Sequence, residues 1–147
     1  MDSLYDDVDK GVMIASHYSR NKSRLLELIG FIKSSGFTRV GVANCLSMQV
    51  FADKLVQILK DNGLEVFSIN CKQSGLNGCE ICEEMKGPCC DPISQAVYLN
   101  EKKTELNINV GLCLGHGLLF QKHSVAPVTT FVVKDPLNKH NVIENLK

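Results

Sequence analysis

Three segments of this chain end alike. "TRVGVANC", "LEVFSINC" and "LNINVGLC" each run through strand-like residues and stop at a cysteine, namely Cys45, Cys71 and Cys113. Short apolar or alternating runs closed by turn residues describe buried strands. If the strands are parallel, all their exits lie on one edge of a sheet, and that edge is where open α/β folds bind ligands. The pattern therefore constrains both the fold and the place to look for chemistry.

Helical segments fill the gaps. Val12, Met13 and Ile14 precede a stronger apolar stripe at Leu25, Leu28, Ile29 and Ile32, which ends near Gly36. A strand is predicted from Thr38 to Asn44. Ser47 is expected to cap a helix that turns Val50, Phe51, Leu55, Ile58 and Leu59 inward and stops at Gly63. After the second strand comes a turn-rich insert at about 71–91. Asp91-Pro92 then has the N-cap and first-turn residues of a helix carrying Ile93, Ala96 and Val97 to about Asn100. The third strand is followed by a short helix around Leu118 to Lys122, and "VTTFVV", Val128 to Val133, is a last strand. Strands alternating with helices imply parallel pairing through right-handed crossovers. The expectation is one small three-layer, Rossmann-like α/β domain over residues 1–147, with a parallel sheet of about four strands and cysteines at the strand C-terminal ends.

Composition narrows the partners. Sixteen basic and sixteen acidic residues give zero net charge, so no nucleic-acid footprint is expected. The acidic run at Asp2, Asp6, Asp7 and Asp9 reads as a solvated face. No apolar segment approaches a membrane span and the N-terminus lacks a signal-peptide layout, so a cytoplasmic protein is expected. In a reducing compartment seven cysteines are not a disulfide framework, and an odd count cannot pair fully. Packing, metal or cluster binding, and thiol chemistry remain.

A single buried cysteine is commonly a small hydrophobe. Three at one sheet edge can face a common point. Cys90 is the choice for a fourth, because it precedes the Asp91-Pro92 helix start, where a thiolate is favoured. A rival site lies within the insert: "CEIC", Cys79 and Cys82, has the spacing that lets both sulfurs reach one ion, and Cys89 and Cys90 could complete a zinc loop. His116, between two glycines and close after Cys113, is a candidate ligand or proton-transfer group. Lys134 and Asp135 leave the last strand at the same edge, ahead of His140, and are candidates to orient an anionic substrate or to hydrogen-bond sulfur.

These segments resemble a known family. "GVANC", "CCDPISQAVYLN", "LNINVGLCLGHGLLF", "APVTTFVVKD" and "HN" are similar to an uncharacterised family labelled predicted metal-binding proteins, domain of unknown function eighteen-forty-seven, found mostly in anaerobic bacteria and archaea. The resemblance runs from about Tyr18, through "SRLLEL", to the C-terminus. It implies that Cys45, Cys71, Cys90 and Cys113 stand on the family's cysteines and His116 on its histidine, whereas Cys79, Cys82 and Cys89 match no family position. It also implies a departure, because Gly117 stands where relatives usually carry Asp.

Thiolate ligands select zinc, copper(I) or iron–sulfur clusters. Ligands drawn from separate strand exits suit a functional crevice more than a local zinc knuckle, which favours an iron–sulfur cluster of the 4Fe-4S type, with zinc as the alternative. Two classes of function follow. With three cysteine ligands the protein is an enzyme for non-redox, desulfurase- or lyase-like chemistry on a small molecule, with His116, Lys134 or Asp135 moving protons or orienting substrate. With four it is a closed carrier or sensor. Dithiol exchange through Cys79 and Cys82 lacks the strand-to-helix placement that such chemistry uses.

Overall fold

The computed structural model describes residues 3–147, so Asp2 of the acidic run lies outside the described residues. The chain forms two compact units, one up to Thr38 and the other Arg39–Lys147.

The first unit is a pair of helices, α1 (Asp7–Ser19) and α2 (Arg24–Ser34). Asp6 caps α1 by accepting from the Asp9 N–H at 2.8 Å, and Ser23 caps α2 by accepting from Leu26. Such caps satisfy amides that the helix itself leaves bare. The helices pack on one another, with Gly30 of α2 facing Ser19 of α1. Leu28 and Ile32 of the expected stripe are buried, whereas Val12, Met13 and Ile14 are exposed.

The second unit is α/β. Its strands are β1 (Arg39–Asn44), β2 (Glu65–Asn70), β3 (Leu106–Val110) and β4 (Val128–Val132). They form one sheet in the order β2-β1-β3-β4, and every pairing is parallel. The connecting helices are α3 (Gln49–Asp61), α4 (Pro92–Glu101) and α5 (Leu114–His123). Chain order reverses direction between β1 and β3. Right-handed crossovers therefore put α3 on one face of the sheet and α4 and α5 on the other, where α4 packs against α5. This is the Rossmann-like, three-layer arrangement, and the β1–β3 gap is its switch point.

The inner strands carry the core. Val40, Val42, Ile108 and Val110 are fully buried, as the continuous apolar runs of central parallel strands require. Gly41 is needed for space, since a Cβ there would collide with Asn107 and with Leu99 of α4.

Several local expectations are corrected. Ser47 does not cap α3: it lies in a short 3-10 turn, Leu46–Met48, and its hydroxyl contacts the Cys45 sulfur instead. In α3, Leu55 and Leu59 face inward as expected, together with Ala52, while Val50 and Phe51 in its first turn are exposed. In α4 the buried side is Pro92, Gln95, Ala96 and Leu99, and Ile93 and Val97 are exposed. The short helix expected around Leu118 starts four residues earlier, at Leu114, because the glycines of "LGHGLL" are tolerated within the first turns of α5. Among the described residues no helix is long and apolar enough to cross a membrane.

Candidate functional site

The register brings the strand exits together. Asn44 of β1 lies opposite Asn70 of β2 and Val110 of β3, so Cys45 and Cys71 leave adjacent strands at the same level. The Cys45 N–H donates to the Val110 carbonyl at 3.3 Å, which ties the β1 exit to the end of β3. β3 then turns through Gly111, whose φ of +71° suits a residue without a side chain, and reaches Cys113 as the N-cap of α5. Cys90 comes from the insert, whose end is held to the β2 exit by the Asp91 N–H donating to the Cys71 carbonyl at 2.7 Å.

The sulfurs form two pairs. The Cys90 thiol donates to the Cys71 sulfur at 3.4 Å, and Cys71 also accepts from the Leu46 N–H at 3.3 Å. Cys45 and Cys113 share a cation: the Lys134 ammonium donates to Cys113 at 2.8 Å and to Cys45 at 3.3 Å. Cys45 and Cys71 are buried, while Cys90 and Cys113 are half-buried. Among the described residues no three His, Cys, Asp or Glu side chains converge tightly enough to hold one ion.

The electrostatics separate the pairs. Burial pushes the Cys45 thiol up, but the Ser47 hydroxyl and N–H, with the Lys134 ammonium, outweigh it and hold the thiol below its ordinary range. Lys134 is pushed up in turn, chiefly by its bond to Cys113 and then by Cys45, and stays charged. Cys90 has no such help. Burial and the neighbouring Cys71 and Cys45 sulfurs push it up to about 11. One side of the cluster thus favours a thiolate and the other a shared proton.

Buried amides lie beneath the sulfurs. The Gln95 side chain of α4 donates to the carbonyls of Asn44 at 3.2 Å and Ile69 at 2.9 Å, the last turns of β1 and β2 before the cysteines. The Asn44 amide donates to the Cys45 carbonyl at 2.9 Å. Among the described residues Asn44 Oδ1 and Gln95 Oε1 meet no donor.

The other sequence candidates lie apart. Cys79 and Cys82 are exposed at the tip of the insert, which is tied to itself by Gly78 N–H to Gly87 O and Cys89 N–H to Leu76 O. The Cys89 thiol turns back to the Cys90 carbonyl at 3.3 Å. His116 is half-buried in the first turn of α5 and, among the described residues, hydrogen-bonds to no sulfur. Asp135 faces away from the thiols. Its carboxylate accepts from Asn138 and Asn145, and its N–H donates to His140 Nδ1 at 3.0 Å.

A cleft of about 270 Å³ opens beside Cys113, between α5 and β4. Cys113 and Lys134 form its polar end together with Asn109, and Leu112, Leu118 and Val132 contribute apolar wall. Sequence reasoning missed Asn109 and Ser47. The signal for Asn109 was present, since it and Asn107 alternate with apolar residues inside "LNINV".

The sequence profile of the family described as "Protein of unknown function (DUF1847)" matches residues 8–131. An uncharacterised protein of Methanocaldococcus jannaschii is 43% identical over 133 residues, which make up 87% of this chain and 68% of that protein. The chain belongs to this family of proteins of unknown function.

Proposed function

We propose that Cys45, Cys71, Cys90 and Cys113 hold a thiolate-ligated metal centre at the carboxyl edge of the sheet, and that the centre is an iron–sulfur cluster. The observation that carries this reading is the Lys134 ammonium standing between the sulfurs of Cys45 and Cys113. A positive charge already occupies the place where thiols from separate strands gather, and one of those thiols is held toward its anionic form.

The donor set fits such a group. Four soft sulfurs on one edge match the ligands that select clusters, copper(I) or zinc over hard ions. Their spread favours a cluster over a single ion. Ligands 2.3 Å from one zinc stand roughly 3.8 Å from each other in a tetrahedron. The Cys71–Cys90 pair approaches that spacing at 3.4 Å, but Cys45 and Cys113 are bridged by an ammonium rather than touching. A polynuclear group reaches across such a gap.

If only three of these four cysteines ligate the cluster, its open iron would supply a Lewis-acidic position for non-redox removal of sulfur or water from a small molecule. The chain's own residues would do the rest. Lys134 offsets thiolate charge and holds an anionic substrate group, and the cleft walls keep water from the apolar part. A second reading, a closed zinc-binding carrier or sensor, is favoured by the Cys71–Cys90 spacing alone.

Anaerobic purification with metal and acid-labile sulfide analysis and a visible spectrum tests this. Iron and sulfide bound together, with broad visible absorption, support the cluster. Zinc without sulfide overturns it in favour of the second reading, and the absence of bound metal overturns both.

A further inference from the structure

The cleft beside Cys113 has a feature that the thiol cluster does not explain. Asn109 is only 8% exposed, yet among the described residues its side-chain N–H₂ meets no acceptor. Its orientation is fixed, because Oδ1 accepts the Leu112 N–H at 3.0 Å, so the donor end must point the other way. By strand alternation Asn109 shares a sheet face with Asn107, opposite to Ile108 and Val110. The amide nitrogen ends 3.1 Å from where a Cβ on Gly117 would stand, on the wall of the cleft.

Leu114 of the α5 start and Lys134 line the same cleft. Cys113 gives α5 no side-chain cap, and among the described residues the N–H groups of Leu114, Gly115 and His116 meet no acceptor. This leaves the positive end of a ten-residue helix bare. Lys134 has three N–H bonds and spends two on sulfur. The rest of the lining is mostly apolar, with Leu112, Leu118, Val128 and Val132 beside Thr130 and Gln121. Donors at one end and hydrocarbon along the sides describe a site for a carboxylate carrying a short apolar chain.

We propose that this cleft binds a small organic carboxylate, with Asn109 Nδ2, the Leu114 N–H and the Lys134 ammonium as its donors. At about 270 Å³ it has room for a short-chain acid. As a binding site the cleft stands on its own geometry. As the substrate site of the thiol centre it rests on the reading above, and it would place the acid beside Cys113.

The test is a titration of the full chain with sodium butyrate, followed by ¹H–¹⁵N NMR, with metal content measured on the same sample. Saturable shifts are expected at the Asn109 side-chain amide and at the backbone amide of Leu114. Asn109→Asp keeps the acceptor for Leu112 but replaces the donor by a negative oxygen, and should weaken butyrate roughly tenfold or more while the melting temperature holds. Gly117→Ala sets a methyl group 3.1 Å from the amide and should also weaken binding. Shifts that do not saturate, or equal affinity in Asn109→Asp, overturn the proposal, as does displacement of butyrate by an equal concentration of phosphate. Metal-loaded protein that ignores butyrate overturns this proposal alone. Protein that binds butyrate but takes up no metal overturns the metal centre alone.

Discussion

The Lys134 ammonium and the Cys113 sulfur lie 2.8 Å apart, and the same ammonium reaches Cys45 at 3.3 Å. A lysine just past the end of β4 therefore joins the exits of β1 and β3, across the point where strand order reverses. Charge-assisted bonds of this kind are roughly twice as strong as neutral ones, and they favour the ionised partner.

Removing that charge should be felt by Cys45. In metal-free protein, Ser47 and Lys134 hold its thiol below the ordinary value of 9.0 against the opposing effect of burial. Lys134→Met leaves burial less opposed, so the thiol moves up. The pH midpoint for alkylation of Cys45 by iodoacetamide should rise in the variant. An unchanged midpoint would mean that the ammonium does not act on this sulfur.

Gln95 should matter for stability. Its amide is buried and donates to the Asn44 and Ile69 carbonyls just before the first two strand-exit cysteines. Gln95→Leu keeps the bulk and strips both bonds, leaving carbonyls without these donors. A loss of about 2–3 kcal/mol in chemical denaturation is expected.

Asp135 gives a pH signature at the C-terminal turn. The side chains of Asn145 and then Asn138 donate to its carboxylate and hold it below 3.8. Because the folded value is depressed, the stabilisation is fully present above the unfolded value and is lost as pH falls through the folded one. The Asp135 carboxyl carbon should titrate by NMR with a midpoint below 3.8. Asn145→Ala should move the midpoint upward.

His116 should be dispensable for holding metal. It lies in the first turn of α5 without a bond to any sulfur among the described residues. His116→Ala should keep most of the metal retained by the unaltered protein. Metal loss as complete as in Cys113→Ser would make this histidine a primary ligand.

Much of the fold was legible because period and punctuation agree. "TRVGVANC" and "LNINVGLC" set apolar residues at alternate positions, Val40 and Val42, then Leu106, Ile108 and Val110, and Asp91-Pro92 marks the start of α4 with its N-cap in place. What was hidden depends on geometry that no period encodes. A 3-10 turn at Leu46–Met48 precedes α3, which starts at Gln49, and Val50 and Phe51 are exposed. At the site, the cysteines were readable as strand exits. Their division into two pairs was not, because it depends on where Lys134 reaches from the end of β4. Asn109 was readable as a polar residue within a buried strand, but the cleft that it lines, between α5 and β4, was not.

The most direct test of the metal centre is a cysteine-to-serine series, with each variant purified anaerobically and analysed for metal. Serine keeps the size of the side chain but removes the thiolate. Cys45→Ser, Cys71→Ser and Cys113→Ser should each lose most of the metal bound by the unaltered protein, while Cys79→Ser and Cys82→Ser, at the exposed tip of the insert, should keep it. The reverse order, with metal lost from the insert variants and retained by the strand-exit variants, would contradict the account and move the site to the insert.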